Sequence, residues 1–158
     1  MERFERVVHR ELIARGKTVA FAESCTGGAM AARLTAIPDA SRCFLGSIVA
    51  YSNEWKERFL GVEKRVLVEK GAVSREVVEQ MVAGLLKKTG ADYGVAVSGI
   101  AGPSGGTAEK PIGTVYIGVG KKGGAIEVSK MHMTGDRASV IYQTVDTAFS
   151  LLWRHMGV

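Results

Sequence analysis

Strand-like apolar segments alternate with amphipathic helical segments along most of this chain. The apolar segments span residues 18–22, 45–51 and 93–97, and the third is typical of a strand buried on both faces of a parallel sheet. Two further segments, 114–119 and 125–133, follow each other across a short glycine turn, which indicates an antiparallel hairpin. This order predicts an α/β fold, a three-layer α/β/α sandwich with a mixed sheet.

The chain has the length of one domain. We assign its 158 residues, 1–158, to a single domain. Helices are predicted over residues 2–14 and 28–34, and residues 54–70 are predicted to form one or two short helices. Further helix boundaries are marked by residues that favour helix ends: Ser74 and Asp136 as N-caps, Gly16 and Gly90 as stops.

Composition narrows the classes of function. The net charge is +5, but the basic residues are scattered and no nucleic-acid-binding signature occurs, so we expect no nucleic acid partner. A mildly positive surface would instead attract a small phosphorylated ligand.

No apolar run approaches the ~20 residues of a membrane span, and the first residues do not form a signal peptide. We therefore expect no membrane partner and a cytoplasmic location. Cys25 and Cys43 lack metal-ligand spacing, and we expect neither a metal nor a cofactor.

The segment Ala22-Glu-Ser-Cys-Thr-Gly-Gly28 lies where a strand gives way to a helix. A serine at such a turn has its hydroxyl at the positive end of the helix, beside backbone N–H groups that can stabilise an anion or a developing oxyanion. The alternative is that Ser24 or Thr26 merely caps the helix, while Gly27 and Gly28 allow tight packing.

A second glycine-rich segment, residues 98–114, also follows a strand-like segment. The residues of this segment that could approach a ligand are Gly99, Gly102, Gly105, Gly106 and Thr107. Two such loops in one small chain favour a binding or catalytic site over helix capping alone.

If Ser24 is a nucleophile, another group must take its proton. The three histidines all lie outside both glycine loops: His9, His132 and His155. A lysine can act as the base when burial or a positive dipole lowers its pKa, and Lys56 is the leading candidate. Two alternatives stay open. Lys56 could be a solvated helix residue, and Cys25 could be the nucleophile, because a thiol at a helix N-terminus is more acidic.

Four motifs occur in order along the chain: Ala22-Glu-Ser-Cys-Thr-Gly-Gly28, Val49-Ala-Tyr-Ser-Asn-Glu-Trp-Lys56, Gly71-Ala-Val-Ser74 and Val97-Ser-Gly-Ile-Ala-Gly-Pro-Ser-Gly-Gly-Thr107. Together they resemble the CinA C-terminal domain family, whose active members are nicotinamide-nucleotide amidohydrolases. The resemblance implies metal-independent hydrolysis of the carboxamide of nicotinamide mononucleotide, giving nicotinate mononucleotide and ammonia, in pyridine-nucleotide recycling.

The resemblance also implies roles for individual residues. Ser24 would be the nucleophile and Lys56 its base, in a serine/lysine mechanism. The remaining pocket residues would be Tyr51 as a polar helper in catalysis, Ser41 and Ser98 as polar groups near the ligand, and Arg137 as a contact to the ligand. We also expect a homo-oligomer. The sequence departs from many relatives at Ser47, where a glycine is usual, and this predicts an altered pocket wall.

Two other functions compete with the enzyme. A non-catalytic nucleotide-binding module would use the glycine loops and Arg137, but it would need neither Ser24 nor Lys56. The family's name suggests a DNA-associated competence protein, but the lack of a dense basic patch counts against it. The presence of both Ser24 and Lys56 favours the amidohydrolase.

Overall fold

The computed structural model of the chain describes residues 1–157. Its elements are α1 (Phe4–Arg15), β1 (Val19–Glu23), α2 (Ala29–Thr35), a 3-10 turn (Ala40–Arg42), β2 (Phe44–Val49), α3 (Asn53–Leu60), α4 (Lys64–Lys70), α5 (Arg75–Thr89), β3 (Tyr93–Gly99), β4 (Thr114–Lys121), β5 (Ile126–His132) and α6 (Arg137–His155). Val158, the last residue of the predicted domain, lies outside the described residues.

The strands form one five-stranded mixed sheet in the order β2-β1-β3-β4-β5. β1 is parallel to both β2 and β3, while β4 pairs antiparallel with β3 and with β5. The predicted hairpin and the predicted mixed sheet are therefore confirmed. Glu23 at the end of β1 pairs with Val49 of β2 and Val97 of β3, so the carboxyl ends of the three parallel strands meet at one edge of the sheet.

Helices cover both faces of the sheet and complete the three layers. On one face α1, α2 and α6 pack against Val19 and Phe21, and the ring of Phe21 meets Phe149 edge-on with a centroid separation of 5.7 Å. On the other face α3, α4 and α5 pack against Ala20 and Ala22. Alternate residues of β1 thus face opposite layers, as the pleat of a strand requires. The predicted single-domain α/β/α sandwich is confirmed.

The helix ends that were predicted from capping residues are confirmed. Ser74 accepts a hydrogen bond from the N–H of Val77, and Asp136 accepts one from the N–H of Ser139. Gly16 and Gly90 end their helices in the left-handed conformation. The region 54–70 forms two helices, α3 and α4, rather than one.

The position of α3 depends on Gly84 of α5. A Cβ atom added at Gly84 would lie 1.7 Å from the carbonyl oxygen of Leu60, the last residue of α3. An alanine in a helix interior is ordinarily more stable than glycine by about 1 kcal/mol. Here Gly84→Ala should instead lower the free energy of unfolding by about 1–3 kcal/mol, because α3 and α5 must separate.

Urea unfolding measures this change, and Lys87→Ala, at an exposed position of the same helix, is the matched control. The control should stay within about 0.5 kcal/mol of the unsubstituted protein. Equal or higher stability of Gly84→Ala would contradict the close packing of α3 on α5.

Candidate active site

Ser24 follows directly on β1 at the carboxyl edge of the parallel strands. The residue is 8% exposed, so its hydroxyl is almost enclosed but still reachable. Because β1 directs Ala20 and Ala22 toward α3, α4 and α5, the alternation of the strand places the Ser24 side chain on that face too. This is the face on which Lys56 lies, in the first turns of α3.

The amino group of Lys56 contacts Ser24 directly. Its Nζ lies 2.9 Å from Ser24 Oγ, 3.0 Å from the carbonyl oxygen of Ala50 and 3.1 Å from that of Tyr51. A charged ammonium has three N–H donors, and here each has an acceptor. A neutral amine would keep its two N–H groups on the carbonyls and turn its lone pair toward the Ser24 hydroxyl.

Burial lowers the pKa of Lys56. The side chain is 1% exposed, and removal from water lowers its pKa from 10.5 to about 8, the smaller influence of Cys25 being in the opposite direction. The alternative that Lys56 is a solvated helix residue is therefore wrong. A sizeable fraction of the amine is neutral near physiological pH, as a general base requires.

The N-terminus of α2 is occupied by a carboxylate and not by the Ser24 hydroxyl. α2 begins at Ala29, and the N–H groups of Met30 and Ala31 donate to Glu23, at 2.8 Å and 3.2 Å. The expectation that the Ser24 hydroxyl lies at the positive end of this helix is corrected, because Glu23 takes that position. The capping alternative is corrected for the same reason, since Thr26 uses its hydroxyl to donate to Glu23 at 2.7 Å.

The turn after Ser24 nevertheless keeps free donors. Gly27 donates its N–H to the carbonyl of Ser24, and Ala29 donates its N–H to the carbonyl of Thr26. The N–H groups of Cys25, Thr26 and Gly28 have no acceptor in another residue within residues 1–157. These groups are available to a ligand or an oxyanion.

Cys25 does not share the environment of Ser24. Its side chain belongs to the apolar cluster on the opposite face of the sheet, and it is 7% exposed. Burial raises the pKa of the thiol to about 12, which outweighs the lowering by its own backbone N–H and by Lys56. A thiol that stays protonated is a poor nucleophile, so the Cys25 alternative is not supported.

Tyr51 and Arg137 extend the hydrogen-bond network outward from Lys56. The Tyr51 carbonyl accepts from Lys56, and its phenol oxygen accepts from the Arg137 guanidinium at 3.0 Å. Arg137, the first residue of α6, also donates to the carbonyl of Gly102 at 2.8 Å. The side chain of Tyr51 is largely exposed, so the hydrogen-bond network that begins at Ser24 ends at the protein surface.

The second glycine loop packs against the start of β4 and lies beside this hydrogen-bond network. Ser98 is buried at the end of β3 and donates to the carbonyl of Ala72 at 2.9 Å, and Gly99 ends the strand. Gly102 is buried, whereas Gly105, Gly106 and Thr107 are exposed. A Cβ atom at Gly106 would lie 2.8 Å from the backbone nitrogen of Ile112, so only glycine fits there. The hydroxyl of Thr107 accepts from the N–H of Lys110 within the loop.

Two sequence-based expectations about the pocket are corrected. Ser41 lies on the exposed 3-10 turn before β2, at the end of that strand far from Ser24, so it does not join this pocket within one chain. Ser47 does not alter the wall beside Ser24. Its hydroxyl donates to the carboxylate of Glu23 at 2.7 Å.

Of two surface depressions near these residues, one lies apart from the Ser24–Lys56 pair and the other is next to Arg137. A depression of about 580 Å³ between α3 and α5 includes neither Ser24 nor Lys56, whereas a shallow one of about 400 Å³ is lined by Arg137, Asp136, Ala138 and Ile141. Within residues 1–157 no group of His, Cys, Asp and Glu is arranged to hold a metal ion. None of the helices in this range is both long and apolar enough to cross a bilayer.

The fold and the site define a class: an α/β/α sandwich whose mixed sheet presents a buried serine–lysine pair at the carboxyl edge of its parallel strands. The chain belongs to the CinA C-terminal domain family, whose model matches residues 1–156. The sequence is 48% identical over 150 residues to a CinA-like protein of Endomicrobium trichonymphae and 54% identical over 118 residues to one of Thermotoga maritima. These alignments cover 95% and 75% of the chain, but 35% and 29% of the relatives, so the chain spans about a third of their length.

Solved structures share the whole fold. The competence/damage inducible protein CihA of Agrobacterium tumefaciens superposes with a TM-score of 0.93 at 38% identity, covering 96% of this chain and 92% of that one. The competence damage-inducible protein A of Klebsiella pneumoniae gives a TM-score of 0.93 at 36% identity, covering 99% and 98%.

The lowered pKa of Lys56 can be measured directly. In two-dimensional NMR spectra of protein with ¹³C-labelled lysine, the Cε resonance of Lys56 should titrate near pH 8, because burial disfavours the ammonium form. Exposed lysines should titrate near 10.4. A Lys56→Arg spectrum assigns the resonance by its disappearance. Titration of Lys56 together with the other lysines would contradict the buried environment.

Proposed function

We propose that this protein hydrolyses the carboxamide of nicotinamide mononucleotide to nicotinate mononucleotide and ammonia. The observation that carries the proposal is the contact of 2.9 Å between Lys56 Nζ and Ser24 Oγ, made by an amine whose pKa is about 8. A buried lysine that is partly neutral and hydrogen-bonded to a serine is the arrangement required for a serine nucleophile without a histidine.

In the first half of the reaction Ser24 Oγ attacks the carboxamide carbon while neutral Lys56 takes the hydroxyl proton. The carbonyls of Ala50 and Tyr51 then accept from the new ammonium, which has three donors for the purpose. The tetrahedral intermediate collapses as the C–N bond breaks, and Lys56 returns its proton to the leaving nitrogen, which departs as ammonia. An ester between Ser24 and the nicotinoyl group remains.

In the second half a water molecule attacks that ester. Lys56, neutral again, takes a proton from the water, and the C–O bond to Ser24 breaks. Lys56 then returns the proton to Ser24 Oγ, so that nicotinate mononucleotide leaves and the resting pair is restored. No metal ion enters either half.

The oxyanion is assigned to the turn that follows the nucleophile. The N–H groups of Thr26 and Gly28 are unused within the described chain and are only two and four residues from Ser24. Preorganised donors of this kind are worth about 10²–10³ in kcat each. The second glycine loop would then form a wall of the ligand pocket, with Ser98, Gly99 and Gly102 nearest the sheet edge.

The phosphate of the substrate is assigned to Arg137. Two of the five N–H donors of its guanidinium are directed at Tyr51 and Gly102, which leaves donors for a phosphate at the surface end of the chain of contacts. Tyr51 would act through both of its contacts, holding Lys56 by its carbonyl and Arg137 by its phenol. We further propose that the protein is a homo-oligomer and is located in the cytoplasm.

A non-catalytic nucleotide-binding module accounts less well for the site. Such a module would need the glycine loops and Arg137, but not a buried lysine. Burial of that amine destabilises the folded state below about pH 8, because the folded pKa is lower than the unfolded one. A cost of this kind is expected where the lysine takes part in chemistry.

Ser24 and Lys56 should behave as one catalytic unit. With nicotinamide mononucleotide as substrate and ammonia as readout, Ser24→Ala and Lys56→Ala should each lower kcat by about 10³-fold or more, and the double variant should be little worse than either. Exposed Lys64→Ala and Cys25→Ser are the controls, and both should retain activity. EDTA should not inhibit.

No ammonia release by the unsubstituted protein would refute the proposed function. Wild-type turnover in Ser24→Ala, or EDTA inhibition that a divalent ion reverses, would refute the mechanism.

Arg137 should affect binding of the phosphate more than chemistry. Arg137→Ala should raise KM for the mononucleotide about 10–100-fold, as expected for loss of a charged hydrogen bond, and should change KM for the unphosphorylated riboside much less. Tyr51→Phe removes the phenol contact to Arg137 but keeps the carbonyl that holds Lys56, so its effect on KM should be smaller. Equal losses on both substrates in Arg137→Ala would mean that Arg137 supports the loop and not the phosphate.

A further inference from the structure

Glu23 is a buried carboxylate that the proposed reaction does not use. It is 0% exposed and is the last residue of β1, immediately before Ser24. The pleat of the strand places the Glu23 side chain on the face of α2 and the Ser24 side chain on the face of α3. Glu23 therefore lies behind the nucleophile, across the sheet from Lys56.

Four donors converge on this carboxylate. Oε1 accepts from the hydroxyl of Thr26 at 2.7 Å and from the N–H of Met30 at 2.8 Å. Oε2 accepts from the hydroxyl of Ser47 at 2.7 Å and from the N–H of Ala31 at 3.2 Å. One side chain thus ties the turn after Ser24 to the start of α2 and to β2.

The backbone of Glu23 reaches the other half of the catalytic pair. Its carbonyl accepts from the N–H of Ala50 at 2.8 Å, and the carbonyl of Ala50 in turn accepts from Lys56. The residue before the nucleophile therefore fixes the segment that holds the base as well as the turn that carries the free N–H groups.

The two N–H groups at the start of α2 can only donate, one to each oxygen of Glu23, so both oxygens must accept. Within residues 1–157 no Lys, Arg or His forms an ion pair with Glu23, so the partners are two hydroxyls and the N–H groups of a helix start, where an anion is favoured. A glutamine would offer one acceptor oxygen, and its NH₂ group would face the N–H of either Met30 or Ala31.

We propose that Glu23 is a positioning residue for Ser24: its carboxylate fixes the turn over residues 24–28, and with it the positions of the Thr26 and Gly28 N–H groups that are proposed to bind the oxyanion. The inference rests on the proposed Ser24–Lys56 chemistry, but not on the identity of the amide substrate.

The test compares Glu23→Gln with Glu5→Gln. Glu5 is also a buried glutamate, but it lies on α1. Two rates are measured in each variant: ammonia release from nicotinamide mononucleotide, and modification of Ser24 by a fluorophosphonate, followed by mass spectrometry of the Ser24 peptide. The second rate depends on the same nucleophile and oxyanion donors, but on no particular substrate.

Glu23→Gln should lower kcat about 10–100-fold with KM changed by less than about threefold, and should slow labelling of Ser24 by a similar factor. Circular dichroism should show an intact fold, and Glu5→Gln should leave both rates unchanged. If the unsubstituted protein does not hydrolyse the mononucleotide but Glu23→Gln still slows labelling, the proposed substrate fails and the role of Glu23 stands.

Wild-type kcat and labelling in folded Glu23→Gln would overturn the inference, even if its melting temperature were lower. Failure of the unsubstituted protein to be labelled at Ser24 would also overturn it. If Glu23→Gln does not fold, Thr26→Val decides, because it removes one of the two hydroxyl donors to the same carboxylate. Slower labelling in Thr26→Val supports the inference, and wild-type labelling overturns it.

Discussion

The contact between Lys56 and Ser24 requires an amine to be buried without a counter-ion among residues 1–157. Three acceptors hold Lys56 Nζ, and two of them are carbonyls of the segment that joins β2 to α3. Burial of the ammonium form lowers the stability of the folded state. This loss of stability is fully present below about pH 8 and fades as the pH rises toward 10.5. Packing of α3 on α5, through the close approach of Leu60 to Gly84, keeps the lysine in this environment.

At the end of β1 and in the two residues that follow it, side chains alternate in direction, which places three consecutive residues in three different environments. Glu23 faces α2 and receives its N–H groups, Ser24 faces Lys56, and Cys25 lies in the apolar cluster of α1, α2 and α6. A shift of one residue in the strand would bring the carboxylate to the lysine and would form an ion pair, which would hold the amine in its charged form. The register of β1 is therefore a condition for a neutral base at this site.

Most helices and strands, and the two residues of the Ser24–Lys56 pair, could be predicted from the sequence. The spacing of apolar residues, the capping residues and the glycine loops are all local signals. The absence of a histidine from both glycine loops left the base of Ser24 open, the resemblance to the family implied Lys56, and the structure shows the contact. Ser41 could not be placed, because its distance from Ser24 depends on the direction of β2. The role of Glu23 was missed as well. The sequence does contain a signal for this role, since a carboxylate directly before a strand-to-helix turn can accept from the N–H groups of the helix. The neighbouring Ser24 was the simpler candidate for capping α2.

The central claim is that Ser24 forms a covalent ester with the substrate. It is tested most directly by a rapid-quench time course with enzyme in excess over nicotinamide mononucleotide, in which ammonia, nicotinate mononucleotide and the mass of the Ser24 peptide are followed together. Ammonia should appear before the acid, and the missing acid should be found as a nicotinoyl ester on Ser24. Simultaneous release of both products with no modified Ser24 peptide, or an adduct on Cys25, would contradict the account.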